Sequence, residues 1–220
     1  MSSRADIVGA SDVRDASGRV RKYGLIYTRR CGWIDLGHAN PQGASKLWSQ
    51  VLAKTGNACL VKPKDVVISY QQTMKRYGVT DGEYRVYQVQ QDLTPEEQKS
   101  VALAIFMEVS IAFEGMQSNW LYRKLTDSGF SVEDLVSNLI GFYRALHPAK
   151  DYITPCQPVS KGEALEVWDT YGSVGSNKNH KFSPVLFPST RMCELPREPK
   201  LPAELDTIVP AVAGKLFRRI

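Results

Sequence analysis

The sequence contains no HExxH, no CxxC, no Walker motif, no GxGxxG and no GxSxG. Each absence removes a chemistry. Without a His pair on one helical turn there is no zincin-type centre, and without CxxC pairs no zinc ribbon. Without a phosphate-cradling loop or a nucleophile elbow, nucleotide-dependent and α/β-hydrolase chemistry have no support. The cysteines Cys31, Cys59, Cys156 and Cys193 stand far apart. Free thiols in a reducing compartment are the simplest expectation, with one or two disulfides after export as the alternative. Runs of charge are also missing. Basic residues cluster no further than the pairs Arg21-Lys22, Arg29-Arg30 and Arg218-Arg219, and the net charge of +5 is spread out. That argues against a nucleic-acid partner, which selects concentrated positive charge. The opening MSSRADIVGASDVRD has no apolar h-region, so no Sec signal peptide is expected. The longest apolar run, 101–107, is interrupted by Glu108 and is too short to span a bilayer. The expectation is a soluble chain made in the cytoplasm and, where it is exported, carried by a specialised secretion system.

What is present suits one domain. The 220 residues, 43% hydrophobic and 23% charged, are ample for a core. The strongest element is Thr94 to about Tyr122. Thr94, Pro95 and Glu97 form a helix start with a capping box. From Val101 to Phe113 the chain is apolar almost all the way round, which predicts a central buried helix. Before it, residues 1–22 read as a flexible arm and Tyr23–Tyr27 as a short strand. Asn40-Pro41 starts a helix through Leu47 and Val51. Residues 60–91 alternate as two strands with Asp81-Gly82 as the turn. After the central helix, Thr126–Gly129 is a break, and Ser131 caps a helix that stops at Pro148. Ser160 and Glu163 make a second capping box for a helix at 161–170. From Tyr171 the prolines multiply, predicting an extended segment that wraps the body and ends in a turn or helix around Val209–Phe217. The fold class is therefore α+β: a single core domain at 23–170 with a central buried helix, a small antiparallel sheet and a Pro-rich C-terminal segment at 171–220.

Candidate chemistry gathers in three places. The first is CGWIDLGHA. Asp35 and His38 are three apart between a strand and a helix, where a carboxylate can fix an imidazole tautomer for general-base work. The alternative is that both simply hold a turn. Cys31 is a weaker nucleophile candidate, because papain-like sites draw Cys and His from distant parts of a chain. Arg30 and Trp33 in the same stretch are assigned to substrate binding. The second place is the central helix, where Glu108 and Glu114 are buried-helix acids that must be paired, hydrogen-bonded or neutral. Six residues separate them by roughly 9 Å and 120°, too divergent for one tight carboxylate pair. Glu114 lies where the helix turns polar and is read as the better acid/base. Glu108 is read as the deeper of the two, and for each acid the structural explanation is a salt bridge to an Arg such as Arg29, Arg30 or Arg123. In the third, EDLVSNLIG, Asp134 is explained by capping. Ser137 and Asn138 are harder to explain by the helix alone and are assigned to substrate binding, and the Asn138 amide among Leu135, Leu139 and Ile140 predicts a specific buried hydrogen bond, structural or directed to substrate. No cofactor is predicted. A divalent metal at His38, Glu108 and Glu114 is a minor alternative.

Three stretches together, YTRRCGWIDLGHA (27–39), FMEVSIAFE (106–114) and SVEDLVSNLIGFY (131–143), resemble a family of uncharacterised bacterial proteins, many of envelope or lipoprotein type. The family pattern has a Gly-aromatic-Ile-Asp-Leu-Gly-His segment, a helix with Glu-x-Ser-Ile ending in aromatic-His-Glu, and an Asp-Leu-x-Ser-Asn-Leu-x-Gly helix. The resemblance covers about residues 25–145. It carries over Asp35, His38, Glu108, Ser110, Glu114, Asp134, Ser137 and Asn138. Two positions depart from it. Cys31 replaces a usual glycine, which weakens a thiol nucleophile. Phe113 replaces a His, which puts in doubt any metal that His would bind. The functional expectation is a hydrolase of a cell-envelope polymer, peptidoglycan first, acting as an interbacterial effector with an immunity or carrier protein as partner. His38 with Asp35 serves as base, and Glu114 or Glu108 as acid/base. A non-enzymatic interaction domain with a structural polar network is the main alternative, and a nuclease or nucleic-acid-binding toxin a weaker one.

Overall fold

The computed structural model describes residues 2–55, 65–76, 79–118, 129–191 and 194–220. Cys59, Cys193, Arg123 and most of the Thr126–Gly129 break lie outside them. The fold is α+β, with four α-helices and two small antiparallel sheets among the described residues. The chain divides into two interleaved compact units. The first is Met1–Pro41 with Gln117–Asp206, and the second is Gln42–Met116 with Thr207–Ile220.

In the first unit, β1 (Leu25–Thr28) pairs antiparallel with β2 (Gly32–Asp35), from Leu25 opposite Asp35 to Thr28 opposite Gly32. Nearly every side chain of this hairpin is buried. Helices α3 (Asp134–Leu146) and α4 (Lys161–Tyr171) belong to the same unit. Ile7, Leu25, Tyr27, Trp33, Val132, Ala164 and Val167 form its apolar cluster. Residues 2–22, expected as a loose arm, carry two 3-10 turns, Arg4–Asp6 and Ala10–Asp12. Ile7 is fully buried beside Leu25 and anchors this otherwise polar stretch. Among its described residues, the Pro-rich segment after α4 holds no α-helix and carries two short 3-10 turns, Val174–Ser176 and Ala203–Leu205. Tyr27 Oη donates to the Phe187 carbonyl at 2.7 Å and accepts from the Phe187 amide at 2.6 Å. Gly32, at φ +70°, lets the Val185 carbonyl approach to within 2.1 Å of where a Cβ would stand.

The second unit holds α1 (Gln42–Lys54), β3 (Val66–Arg76), β4 (Val79–Val89), most of α2 (Pro95–Ser118) and β5 (Phe217–Arg219). Ile68 and Tyr70 of β3 and Tyr87 and Val89 of β4 are buried, whereas Val67 and Tyr84 are exposed. That is the alternation the sequence predicts. The turn is displaced, however. Gly82 pairs with Thr73 inside the ladder, which continues to Arg76 opposite Val79. A Cβ at Gly82 would meet the Gln72 carbonyl at 2.2 Å. This glycine serves close strand approach rather than a turn. The turn predicted around Val209–Phe217 is present, and a strand that was not predicted follows it. Turn residues at 213–215 precede β5, which adds to β4 with Phe217 opposite Val89. Three residues are too few to show a strand period in sequence.

Helix α2 begins with the expected capping box. The Glu97 amide donates to Thr94 Oγ1 at 3.2 Å, and the Thr94 amide donates to the Glu97 carboxylate at 2.9 Å. Val101, Ala102, Ile105, Val109 and Ser110 are fully buried, and Ile111 is exposed. By length and composition this helix could cross a membrane, and 61% of its most apolar window is buried in the protein. Two glycines allow a clean test of backbone packing. Gly18 and Gly32 both have positive φ, but nothing lies within 4 Å of a Cβ at Gly18. Gly18→Ala is expected to cost about 1–2 kcal/mol through backbone strain alone. Gly32→Ala is expected to cost a further ~1–3 kcal/mol through overpacking against Val185. Urea unfolding midpoints measure the difference, and equal losses would refute the close-approach account.

Candidate functional site

The loop Asp35–Asn40 follows β2 and lies along α3 within the first unit. Four positions of α3 meet it: Asp134, Ser137, Gly141 and Arg144. Their spacing of three, four and three places them on one face of the helix. Ser137 Oγ accepts the Asp35 amide at 2.9 Å while donating to the Glu133 carbonyl one turn back at 2.6 Å. A Cβ at Gly141 would stand 2.9 Å from the His38 carbonyl and 3.1 Å from that of Asn40. The Arg144 guanidinium donates to the Ala39 carbonyl at 2.6 Å. The loop also closes on itself. Asp35 Oδ1 accepts the Gly37 amide at 2.6 Å and the His38 amide at 3.3 Å, and Oδ2 accepts from Ser2 Oγ at 2.8 Å.

The Asp35 carboxylate is therefore turned into its own loop. The carboxylate that faces the imidazole is Asp134, whose Oδ1 lies 3.4 Å from His38 Nδ1. Asp134 Oδ2 accepts the Ser131 amide at 2.7 Å, which fixes the carboxylate plane. The His38 side chain is 38% exposed and that of Asp134 only 6%. A carboxylate at Nδ1 favours the tautomer with the proton on Nδ1 and a free lone pair on Nε2. The pair is thus a partly exposed His whose orientation is set from the protein side by a buried carboxylate.

A family model described as protein of unknown function (DUF4056) matches residues 5–150. The chain belongs to the DUF4056 family. No curated protein and no solved structure gives a significant match. The DUF4056 match covers the His38 loop and all of α3, and hence the whole of the four-position grip.

The remaining predicted residues of this DUF4056 chain fall into separate settings. Glu108 is ion-paired with Arg85, which also binds Glu83 at 2.7 Å. Its partner is neither Arg29 nor Arg30, and Arg123 lies outside the described residues. Burial, with the Glu108 charge nearby, pushes the Tyr87 hydroxyl up to about 12. Glu114 is fully buried in α2, so the depths expected of the two acids are exchanged: Glu108 keeps a side chain 35% exposed. Ser110 accepts from Gln72 Nε2 of β3 at 2.7 Å. Trp33 is 2% exposed and packs edge-on to Tyr27 and Trp168, at centroid distances of 5.1 and 5.9 Å. The Arg30 amide donates to the Cys156 carbonyl at 3.1 Å. Asn138 is half-buried on α3. Cys31 and Cys156 are both buried free thiols, and hydrogen bonding to Cys31 together with burial raises the Cys156 pKa.

Sequence reasoning passed over Gly141 and Arg144, and read Glu163 only as a helix cap. Glu163 caps only half of its predicted box: its amide donates to Ser160 Oγ at 3.3 Å. Its carboxylate goes instead to Arg29 at 3.1 Å and Ser189 Oγ at 2.9 Å. The signal for Gly141 and Arg144 was their phase with Asp134 and Ser137 on the helix face. Ser137→Ala leaves the Asp35 amide without this acceptor. It is expected to cost about 1–3 kcal/mol, read as a lowered unfolding midpoint, whereas Asn138→Ala is expected to cost less.

Proposed function

We propose that this chain is a bacterial hydrolase of a cell-envelope polymer, peptidoglycan first, with His38 as general base and Asp134 as the residue that orients it. The observation that supports this reading is the half-exposed imidazole held at Nδ1 by a buried, backbone-fixed carboxylate. In this reading Nε2 takes a proton from water as the water oxygen attacks the scissile centre, and the imidazolium returns that proton to the leaving group as the scissile bond breaks. Asp134 stabilises the imidazolium that forms. The envelope substrate follows from the motif resemblance, and the net positive charge favours an anionic surface. Delivery as an interbacterial effector would pair the protein with an immunity or carrier protein.

One observation favours a second reading, an interaction domain whose polar groups are structural. Asp35 and Ser137 spend their hydrogen bonds inside the protein. The two readings separate in one series on purified sacculi, with muropeptide release and melting temperature followed for each variant. On the hydrolase reading His38→Ala loses about 10²–10⁴-fold in release. Asp134→Asn loses most of it, and Glu108→Gln keeps it, with melting of the His38 variant little changed. Release that is absent from the wild type, together with strongly lowered melting of His38→Ala and Asp134→Asn, would establish the structural reading instead.

A further inference from the structure

A second feature of the first unit is independent of the hydrolase reading. Residues 13–22 double back on themselves. Arg14 bridges Val20, the Asp15 amide donates to the Arg19 carbonyl at 2.8 Å, and the Arg21 amide to the Val13 carbonyl at 2.9 Å. This turn forms one wall of a cavity of about 490 Å³, which Asn40-Pro41, Arg144 and Pro148–Ile153 complete. The volume is that of a small-molecule site.

The lining charge is one-sided. Arg14, Arg19, Arg21, Lys22, Arg144 and Lys150 face a single acid, Asp151. That acid is already engaged. Arg14 binds it at 2.7 Å, and the Ile153 amide donates to it at 2.9 Å. Burial alone would raise the Asp151 pKa, yet hydrogen bonds from Thr154 and the backbone, with Arg14 beside it, hold it below the usual range. Once Asp151 is spent on Arg14, five cations remain around the cavity. Arg144 is half-buried and, among the described residues, has no ion pair. Burial lowers its pKa, and the Arg14 charge adds to that lowering against the pull of Asp151. A desolvated guanidinium beside further like charges is costly unless an anion joins it. Lys150 also lies over the Tyr152 ring, 5.2 Å from its centroid, which holds an ammonium at this wall.

We propose that this pocket binds a small phosphate-bearing polyanion, of the size and charge of a pyrophosphate or bisphosphorylated molecule. Phosphate groups fit this lining best. Each brings up to two negative charges and three acceptor oxygens, and guanidinium forks match them bidentately. Because Arg144 also holds the Ala39 carbonyl, an occupied pocket stiffens the loop that carries His38.

The test uses inorganic pyrophosphate on the full chain, by calorimetry and by thermal shift, with orthophosphate and citrate in parallel. Pyrophosphate is expected to bind tighter than about 1 mM and to raise the melting temperature, with orthophosphate weaker. Arg21→Gln and Lys150→Gln, both on exposed positions, are each expected to weaken binding about tenfold or more. Arg144→Met is expected to abolish binding, and the two exposed variants keep the test decisive should it fail to fold. Absence of pyrophosphate binding, or binding that both exposed variants leave unchanged, overturns the site. Citrate binding as tightly as pyrophosphate overturns the phosphate assignment.

Discussion

The His38 loop exists in its observed form because one face of α3 grips it. A loop of irregular backbone beside a helix must find partners for its amides and carbonyls. Here the helix supplies four different answers along roughly 15 Å of axis. Asp134 offers a carboxylate to an imidazole, and Ser137 a hydroxyl oxygen to an amide. Gly141 offers the absence of a side chain to two carbonyls, and Arg144 a guanidinium to a third. Each answer fits only its own site. Moving the loop by one residue would carry the Asp35 amide away from Ser137 and the Ala39 carbonyl away from Arg144. The loop register, and with it the position of the imidazole, is set by the helix rather than by the loop sequence.

This explains what could and could not be read in advance. The helix itself, its stop at Pro148 and the importance of Ser137 were legible, because they depend on local pattern. The partner of His38 was not. Asp35 is the nearest carboxylate in sequence and therefore the natural assignment, but a short loop with an Asp at its start closes most cheaply on its own amides. The amides of Gly37 and His38 claim that carboxylate first. The imidazole is then served by a residue from a distant stretch whose capping role looked sufficient. Asp134 does both: one oxygen takes the Ser131 amide and the other faces the imidazole.

Helix α2 shows the same limit from the other side. Its start and burial followed from the capping box and the apolar run, and the structure agrees with both, while its predicted end near Tyr122 lies outside the described residues. The depth of its acids did not follow, because a helix apolar on all sides carries no marker for its outer face. Ala104, Met107 and Glu108 are only partly buried and Ile111 is exposed, at the spacing of one helix stripe. Glu108 lies on that stripe and takes Arg85 as partner, so its charge is explained without chemistry. Glu114, three residues beyond Ile111 at the edge of that stripe, is nevertheless wholly withdrawn from water. A buried carboxylate is the more expensive feature, and so the one whose presence demands more of the fold.

Glycine is where sequence reading and structure diverge most instructively. Asp81-Gly82 has the composition of a hairpin turn, and the hairpin is real, but the pair sits inside the ladder. Composition reports that a glycine is needed and not why. Conformation and space are separate reasons, and at Gly82 and Gly141 the reason is space: a carbonyl from elsewhere in the same unit occupies the volume of a Cβ. At Gly141 that vacancy bears on function. Any side chain there would push the His38 and Asn40 carbonyls away from α3 and carry the imidazole with them, lengthening a Nδ1 contact that is already 3.4 Å. The glycine that ends the Asp-Leu-x-Ser-Asn-Leu-x-Gly pattern is therefore as much a part of the His38 arrangement as the aspartate that begins it.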